Sequence, residues 1–120
     1  VAKLVDVAPD GSATLIQSGR LRASHRRLDP RRTVTQDGEV IAPWQVHTRE
    51  ALEPPRPGVP LNYKIEIWPT AKRFAKGHRI GLALYSSDTP SWATLLKPAR
   101  DTVFEDRERA SYLLLPEQAP

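Results

Sequence analysis

The chain has 120 residues, 39% of them hydrophobic and 27% charged, with a formal net charge of +4 and no cysteine. A single domain of this length can bury a hydrophobic core. The absence of cysteine excludes a disulfide framework, thiolate metal ligands and a cysteine nucleophile. No stretch of the sequence reaches the roughly 18 apolar residues that a membrane-spanning helix needs. The first residues also lack the basic and apolar regions of a signal peptide.

We interpret the sequence as starting inside a longer reading frame. It contains no methionine, and it opens at Val1 directly in strand-like residues. A targeting signal of the longer protein would then lie outside the chain. The compartment stays open, with the cytoplasm slightly favoured.

The N-terminal part of the sequence predicts three short strands. Residues 3–7 and 13–17 are strand-like, and the Pro-Asp-Gly-Ser sequence at 9–12 is a strong turn signal between them. Gly19 ends the second strand. Residues 20–24 alternate basic with small or apolar side chains, which predicts a third strand.

Much of the positive charge lies between Arg20 and Arg32, where six arginines face one acid, Asp29. A patch of this kind can bind the phosphates of nucleic acid. We favour a solvated or interdomain surface, so nucleic acid is not an expected partner.

Residues 27–60 form a long connection. They contain Asp37-Gly38, which is a hairpin signal, and four prolines between positions 53 and 60. Proline at this density favours an extended path with few internal hydrogen bonds. Because strands are predicted on both sides, we interpret the connection as a crossover between two sheets rather than a domain linker. Greek-key and jelly-roll topologies need such crossovers.

The clearest strand is predicted at residues 61–68, where the odd positions from 61 to 67 are apolar and the positions between them are polar. Pro69 ends it, and residues 79–85 repeat the alternation. The apolar residues of this later strand share one face: Ile80, Leu82 and Leu84.

Residues 111–115 predict the last strand, with residues 102–104 as a further strand paired near it. No segment carries a sustained helical pattern. Short strands separated by proline and glycine predict an all-β sandwich or barrel.

No catalytic site is predicted in the chain. A serine-hydrolase nucleophile sits in a G-x-S-x-G elbow before a helix, and the sequence has neither. Ser24 and His25 are adjacent, which on a strand sends their side chains to opposite faces. His47 falls in a predicted loop without an evident carboxylate to orient it.

No metal ion or cofactor is predicted either. His25, His47 and His78 lie far apart and show no metal-binding spacing. No glycine-rich loop opens a helix to hold a phosphate. The acidic residues between 101 and 108 lack the spacing of a calcium loop, so we interpret them as solvated.

Trp44, Trp68 and Trp92 each lie within two residues of a proline, which places them at strand ends or in loops. Such rings can stack on sugars in β-sandwich binding modules. We favour the alternative that they fill the edge of the core or an interdomain contact.

Seven motifs occur in a fixed order along almost the whole sequence: L-V-D-V-A-P-D-G at 4–11, L-R-A at 21–23, P-W-Q-V-H-T-R at 43–49, W-P-T-A at 68–71, K-G-H-R-I at 76–80, S-S-D-T-P at 86–90 and A-S-Y-L-L-L-P at 110–116. In this order they resemble the C-terminal non-catalytic domain of the Xaa-Pro dipeptidyl-peptidase and CocE/NonD family of serine hydrolases. Each motif is weak alone, and their shared order carries the resemblance.

The resemblance implies a jelly-roll β-sandwich of the galactose-binding-like type, with residues 1–120 forming a partial C-terminal domain that lacks its first strands. It also implies an upstream α/β-hydrolase domain as partner, which holds a Ser-Asp-His triad and cleaves esters, amides or Xaa-Pro peptides. No catalytic residue is therefore carried onto this chain. The implied role is to brace the catalytic domain, shape its cleft and support homo-oligomer contacts.

Within that resemblance, His78 is interpreted as a structural hydrogen-bonding residue. Two features depart from the family pattern. Gly81 stands where many members have arginine or a bulky residue, and residues 92–100 lack the usual asparagine-rich loop. The second departure puts in doubt any contact of that loop with a substrate pocket.

Two alternatives stay open. One is an autonomous β-sandwich module that binds carbohydrate or nucleic acid, and the other is a purely structural oligomerisation domain. If the first strands are missing, an apolar face and strand edges are uncovered, which predicts that the isolated chain self-associates or is marginally stable.

Overall fold

The computed structural model describes residues 1–88 and 100–116. The chain divides into two compact units, Val1–Leu84 and Tyr85–Pro120. The described residues form five strands and two short 3-10 helices, all in the first unit: β1 (Ala2–Val7), β2 (Ala13–Gly19), the helix Ala23–His25, β3 (Val34–Gln36), β4 (Glu39–Ala42), the helix Arg49–Ala51 and β5 (Arg79–Leu84).

The first unit contains a three-stranded antiparallel sheet with the strand order β2-β1-β5. Side chains alternate between the two faces of a strand, and in β1 this places Ala2, Leu4 and Asp6 on a buried face. A tight turn joins β1 to β2, with Gly11 at a φ of 86° that favours glycine. The strands predicted at 3–7 and 13–17 and the turn between them are confirmed.

β2 carries a bulge next to the centre of β1. Leu4 pairs with Gln17 and Val5 pairs with Leu15, so Ile16 is the extra residue. Gly19 ends the strand and is buried. A β-carbon at Gly19 would overlap the carbonyl oxygen of Glu66, so only glycine allows that backbone to pass so closely.

β5 covers the other edge of β1, with Leu4 opposite Leu82 and Ala2 opposite Leu84. The strand predicted at 79–85 is confirmed. Gly77, at a φ of 86°, lies in the turn that leads into β5, where the His78 amide donates to the Ala75 carbonyl at 3.0 Å.

The hairpin signal at Asp37-Gly38 is also confirmed. These two residues join β3 to β4 with φ angles of 50° and 82°, the positive values that a two-residue type I′ turn requires. Residues 27–60 therefore contain a two-stranded sheet and a 3-10 helix of their own. Their interpretation as a crossover between two sheets stays a prediction.

The third predicted strand, at residues 20–24, is wrong. The chain instead enters the 3-10 helix Ala23–His25, in which the His25 amide donates to the Arg22 carbonyl at 2.8 Å. Alternation of side chains specifies two faces, but it supplies no neighbouring strand to pair with.

The strand predicted at residues 61–68 is wrong as well, although its pattern is the clearest in the sequence. Where a ladder would run, the side chain of Gln45 donates to the Lys64 carbonyl at 2.8 Å. Trp68 is 69% exposed, so the end of this segment does not enter a core.

In the second unit, the strands predicted at 102–104 and 111–115 are wrong, because the described residues there form no ladder. The two segments do meet, since the Ser111 amide donates to the Phe104 carbonyl at 2.9 Å. The turn between them is held by Asp106, whose carboxylate accepts the backbone amides of Glu108 and Arg109.

The described residues contain strands and 3-10 turns but no α-helix, which confirms the all-β class. Among them no helix has the length and apolar character needed to cross a membrane. The jelly-roll strand order and the missing first strands stay predictions.

Candidate functional site

Asp6 is a buried carboxylate at the end of β1, with 8% of its side chain exposed. The His78 ring donates from Nδ1 to Asp6 Oδ1 at 2.7 Å, and Lys72 Nζ lies 3.4 Å from Oδ2. The hydrogen bond from His78 lowers the pKa of Asp6 below its ordinary value of 3.8. Burial acts in the opposite direction, and the positive charges of His78 and Lys72 add to the lowering.

The local sequence explains how these groups meet. Asp6 pairs with Ile80 across the sheet, so the side chains of these two residues lie on the same face. The turn at Gly77 then brings His78 back over that face, two residues before Ile80. This arrangement ties β1 to the entry of β5, which is the hydrogen-bonding role expected for His78. The assignment of no catalytic residue to the chain stays a prediction.

His25 and His47 lie close together. Their Nδ1 atoms are 3.0 Å apart, and the ring centroids are 5.1 Å apart with the planes tilted by 42°. The two residues are 22 positions apart in the sequence, and the fold brings them together. The strand assumed at Ser24-His25 is wrong, because both residues lie in a 3-10 helix.

Backbone pairing outside the five strands brings these two histidines together. Leu28 and Gln45 form an isolated antiparallel bridge. On one side of it the Asp29 amide donates to the Trp44 carbonyl at 2.8 Å, and on the other the Val46 amide donates to the Arg27 carbonyl at 2.9 Å. No sequence signal marks this pairing, so sequence reasoning missed the histidine pair.

A shallow cleft of about 310 Å³ opens beside the same region. On its wall Arg26 Nη2 lies 3.1 Å from Glu53 Oε2, and the guanidinium also donates to the carbonyl oxygens of Ala23 and Glu53. This ion pair occupies one arginine of the basic stretch. The residues lining the cleft are Arg26, Glu53, Pro54, Arg56, Val59 and Leu61.

The tryptophans do not gather into a binding platform within the described residues. The Arg32 guanidinium lies over the ring of Trp44 at 5.3 Å, and Arg32 also lies 3.9 Å from Asp29. Trp44 and Trp68 are 53% and 69% exposed, so they do not fill the edge of the core. Their role in an interdomain contact stays a prediction. Trp92 lies outside the described residues.

One face of β5 is apolar and open. Ile80, Leu82 and Leu84 are 48%, 41% and 47% exposed, and they lie opposite Asp6, Leu4 and Ala2 of β1. Within the described residues β5 also forms an edge of its sheet. An apolar surface on an edge strand is typical of a docking site.

The metal and cofactor predictions are not tested by these contacts. Among the described residues no three metal-ligating side chains form a group. Sequence reasoning did not predict the histidine pair, whereas it did place Ile80, Leu82 and Leu84 together on one face of a strand.

The sequence of the chain matches the model of one protein family over residues 1–114, the X-Pro dipeptidyl-peptidase C-terminal non-catalytic domain. The chain belongs to this family. The non-catalytic C-terminal domain of a family of peptidases and esterases is therefore the class of protein that the fold and the sequence define.

Two curated relatives carry the name "Putative serine esterase", one from Mycobacterium bovis and one from Mycobacterium tuberculosis. Each is 33% identical over 118 residues, which covers 94% of this chain and 18% of the relative. The chain thus spans less than a fifth of the length of these relatives. No solved structure matches the chain significantly. The comparisons give no support to an autonomous carbohydrate- or nucleic-acid-binding module.

Proposed function

We propose that this chain is the non-catalytic C-terminal domain of a serine hydrolase of the CocE/NonD and Xaa-Pro dipeptidyl-peptidase type, and that it braces the α/β-hydrolase domain preceding it and shapes its cleft. Family membership supports the type of parent. The matched relatives support its architecture, because most of their length lies outside the matched region. Their printed names make an ester the first substrate class to assay.

The single observation that carries the bracing role is the open apolar face of β5. Ile80, Leu82 and Leu84 each keep 41–48% of their surface exposed. Completing the burial of a half-exposed aliphatic side chain gains about 1 kcal/mol. Three neighbouring side chains on one strand therefore supply an apolar contribution to a contact between domains.

The outer edge of β5 adds hydrogen bonding to this apolar face. An edge strand presents backbone N–H and C=O groups that a further strand can pair with. Polypeptide preceding the domain would supply that strand and complete a jelly-roll sandwich.

The test uses the full-length parent hydrolase with the substitution Leu82→Glu. We expect one cooperative unfolding transition in the parent and two in the variant, because a buried charge at the interface separates the domains. Hydrolysis of a p-nitrophenyl ester should fall with the loss of cleft shape. A fluorophosphonate probe should label the parent only outside residues 1–120.

Val34→Glu is the matched control, because Val34 is also 50% exposed on a strand but belongs to the β3–β4 hairpin. It should leave both the unfolding profile and the esterase activity unchanged. Equal effects of the two substitutions, or labelling of a serine within this chain, would contradict the proposal.

A further inference from the structure

The His25–His47 pair lies outside everything that the bracing role requires. The two residues are 22 positions apart in sequence, yet their Nδ1 atoms are 3.0 Å apart. His25 is half-buried and His47 exposed, so solvent reaches the pair. Two imidazole nitrogens at this distance either share one proton or hold one metal ion between them.

The backbone fixes both histidines before any ligand arrives. His25 ends a 3-10 helix whose closing bond runs to the Arg22 carbonyl, and the Glu53 amide donates to the Ser24 carbonyl at 2.9 Å. His47 follows directly on Val46, whose amide donates to the Arg27 carbonyl. A site held by its own backbone loses less entropy when an ion binds.

The distance between the two nitrogens determines the N–metal–N angle at an ion bound to both. Histidine nitrogens lie about 2.0–2.1 Å from a bound divalent ion, so a separation of 3.0 Å corresponds to an N–metal–N angle of roughly 94°. This angle is smaller than the tetrahedral angle of structural zinc sites. It matches neighbouring positions in a square-planar or tetragonal complex, the geometry of Cu²⁺ and Ni²⁺.

We infer that His25 and His47 form a two-imidazole chelate for a divalent transition-metal ion, with Cu²⁺ and Ni²⁺ preferred to Zn²⁺ and with water in the remaining positions. The nearby positive charges repel every divalent cation equally, so binding depends on coordination by the two imidazoles. Arg22, Arg26 and Arg27 lie within three residues of His25, so a purely electrostatic attraction for cations is weak there. Mg²⁺ and Ca²⁺ prefer oxygen ligands and do not bind at this pair.

The test is a calorimetric titration of the 120-residue chain with Ni²⁺ and Cu²⁺ at pH 7.5 in a non-coordinating buffer. We expect one ion per chain and at least a tenfold weaker affinity in His25→Gln and in His47→Gln. The double variant should lose little more affinity than either single variant, because each single substitution already removes the chelate and leaves only one weakly binding imidazole. Affinity should also fall at pH 5, where protons compete for the ligand nitrogens.

His78→Gln removes the third histidine and is the matched control, since glutamine can still donate a hydrogen bond to Asp6. Its metal affinity should equal that of the unchanged chain. Circular dichroism checks that all variants fold, and pulsed electron paramagnetic resonance of the Cu²⁺ complex should count two coordinated imidazoles. The inference would be overturned if the spectrum showed one coordinated imidazole, or if the single variants bound the metal as tightly as the unchanged chain. Full affinity in urea would overturn it as well. The pair would then share a proton rather than bind a metal ion.

Discussion

Asp6 holds a negative charge against the sheet because His78 and Lys72 reach it from outside β1. The folded chain is therefore more stable when this carboxylate is ionised than when it is protonated. His78 also fixes the turn at Gly77, so one hydrogen bond links the first strand of the chain to the last described one.

The lowered pKa of Asp6 determines the direction in which the stability of the fold changes with pH. Its folded value lies below the ordinary 3.8, so the stabilisation is fully present above that pH and is lost as the pH falls through the folded value. We expect Asp6→Asn to lower the Tm by several degrees at pH 7 and to flatten the acid decline in stability below pH 3.8. Thermal unfolding followed by circular dichroism from pH 2 to 7 measures both.

Part of the acid decline should persist in this variant. The pKa of Asp10 is also lowered, by hydrogen bonds from the Ser12 hydroxyl and amide. Asp101→Asn, which removes an exposed carboxylate, serves as the control and should keep the Tm at pH 7. An unchanged acid decline in Asp6→Asn would show that the Asp6–His78 contact is absent in solution.

Gly19 gives a second prediction for a single residue. A methyl group there meets the backbone carbonyl of Glu66 and the side chain of Ile65, and backbone cannot move aside as a flexible side chain can. We expect Gly19→Ala to destabilise the chain by about 1–3 kcal/mol, as overpacking does. Chemical denaturation measures the change in the free energy of unfolding.

Ser18→Ala is the comparison for Gly19→Ala, because it changes the adjacent residue and leaves the close approach intact. Its free energy of unfolding should stay within about 0.5 kcal/mol of the unchanged chain, as for most peripheral substitutions. If both variants lose equal stability, the close approach of Glu66 to β2 is not a packing constraint.

At the scale of elements, the sequence predicted β1, β2 and β5 as strands, whereas for β3 and β4 it predicted only the hairpin turn between them. The tight turn at 9–12 joins β1 to β2, and Asp37-Gly38 joins β3 to β4. In both cases residue types that accept positive φ lie between two extended segments, so local chemistry specifies the pairing. β5 was predicted because its alternation follows a glycine turn in the same way.

The strand predicted at 61–68 shows that local residues do not specify pairing with a distant strand. Its alternation is regular, but pairing depends on which edge the segment meets after a connection of more than thirty residues. The structure places it across Gly19 and against the Gln45 side chain rather than in a ladder. The alternation of side chains along a strand can be predicted from its own residues, whereas the strand with which it pairs cannot.

The His25–His47 pair was not predicted from the sequence for the same reason. A chelate or hydrogen-bonded pair is visible in sequence only when its members share a helix or a strand at a fixed spacing. Here the isolated bridge between Leu28 and Gln45 sets the contact, and neither residue belongs to a turn motif. The family, by contrast, was predictable, because ordered motifs along the whole chain are a property of the sequence alone.

At the scale of the whole molecule, burial is small for a chain of this length. Ala2, Leu4 and Ala51 are the buried hydrophobic residues in the described part of the chain, and fifteen large hydrophobic residues there remain exposed. A domain that evolved beside a catalytic domain can leave such surface open, because the neighbour covers it. The proposed bracing role accounts for this surplus of apolar surface.

Without the proposed catalytic neighbour, the chain should therefore self-associate through β5. Within the described residues β5 lies at an edge of its sheet, and this edge and the three apolar side chains satisfy the conditions for pairing between copies. We expect sedimentation velocity to show dimers or larger species, and Leu82→Lys to shift them towards monomer, since a charge on an edge strand blocks such pairing. Ile41→Lys, at a 47% exposed site in β4, should leave the distribution unchanged. A monomeric chain that unfolds cooperatively would instead show that the open face is stable in water without a partner.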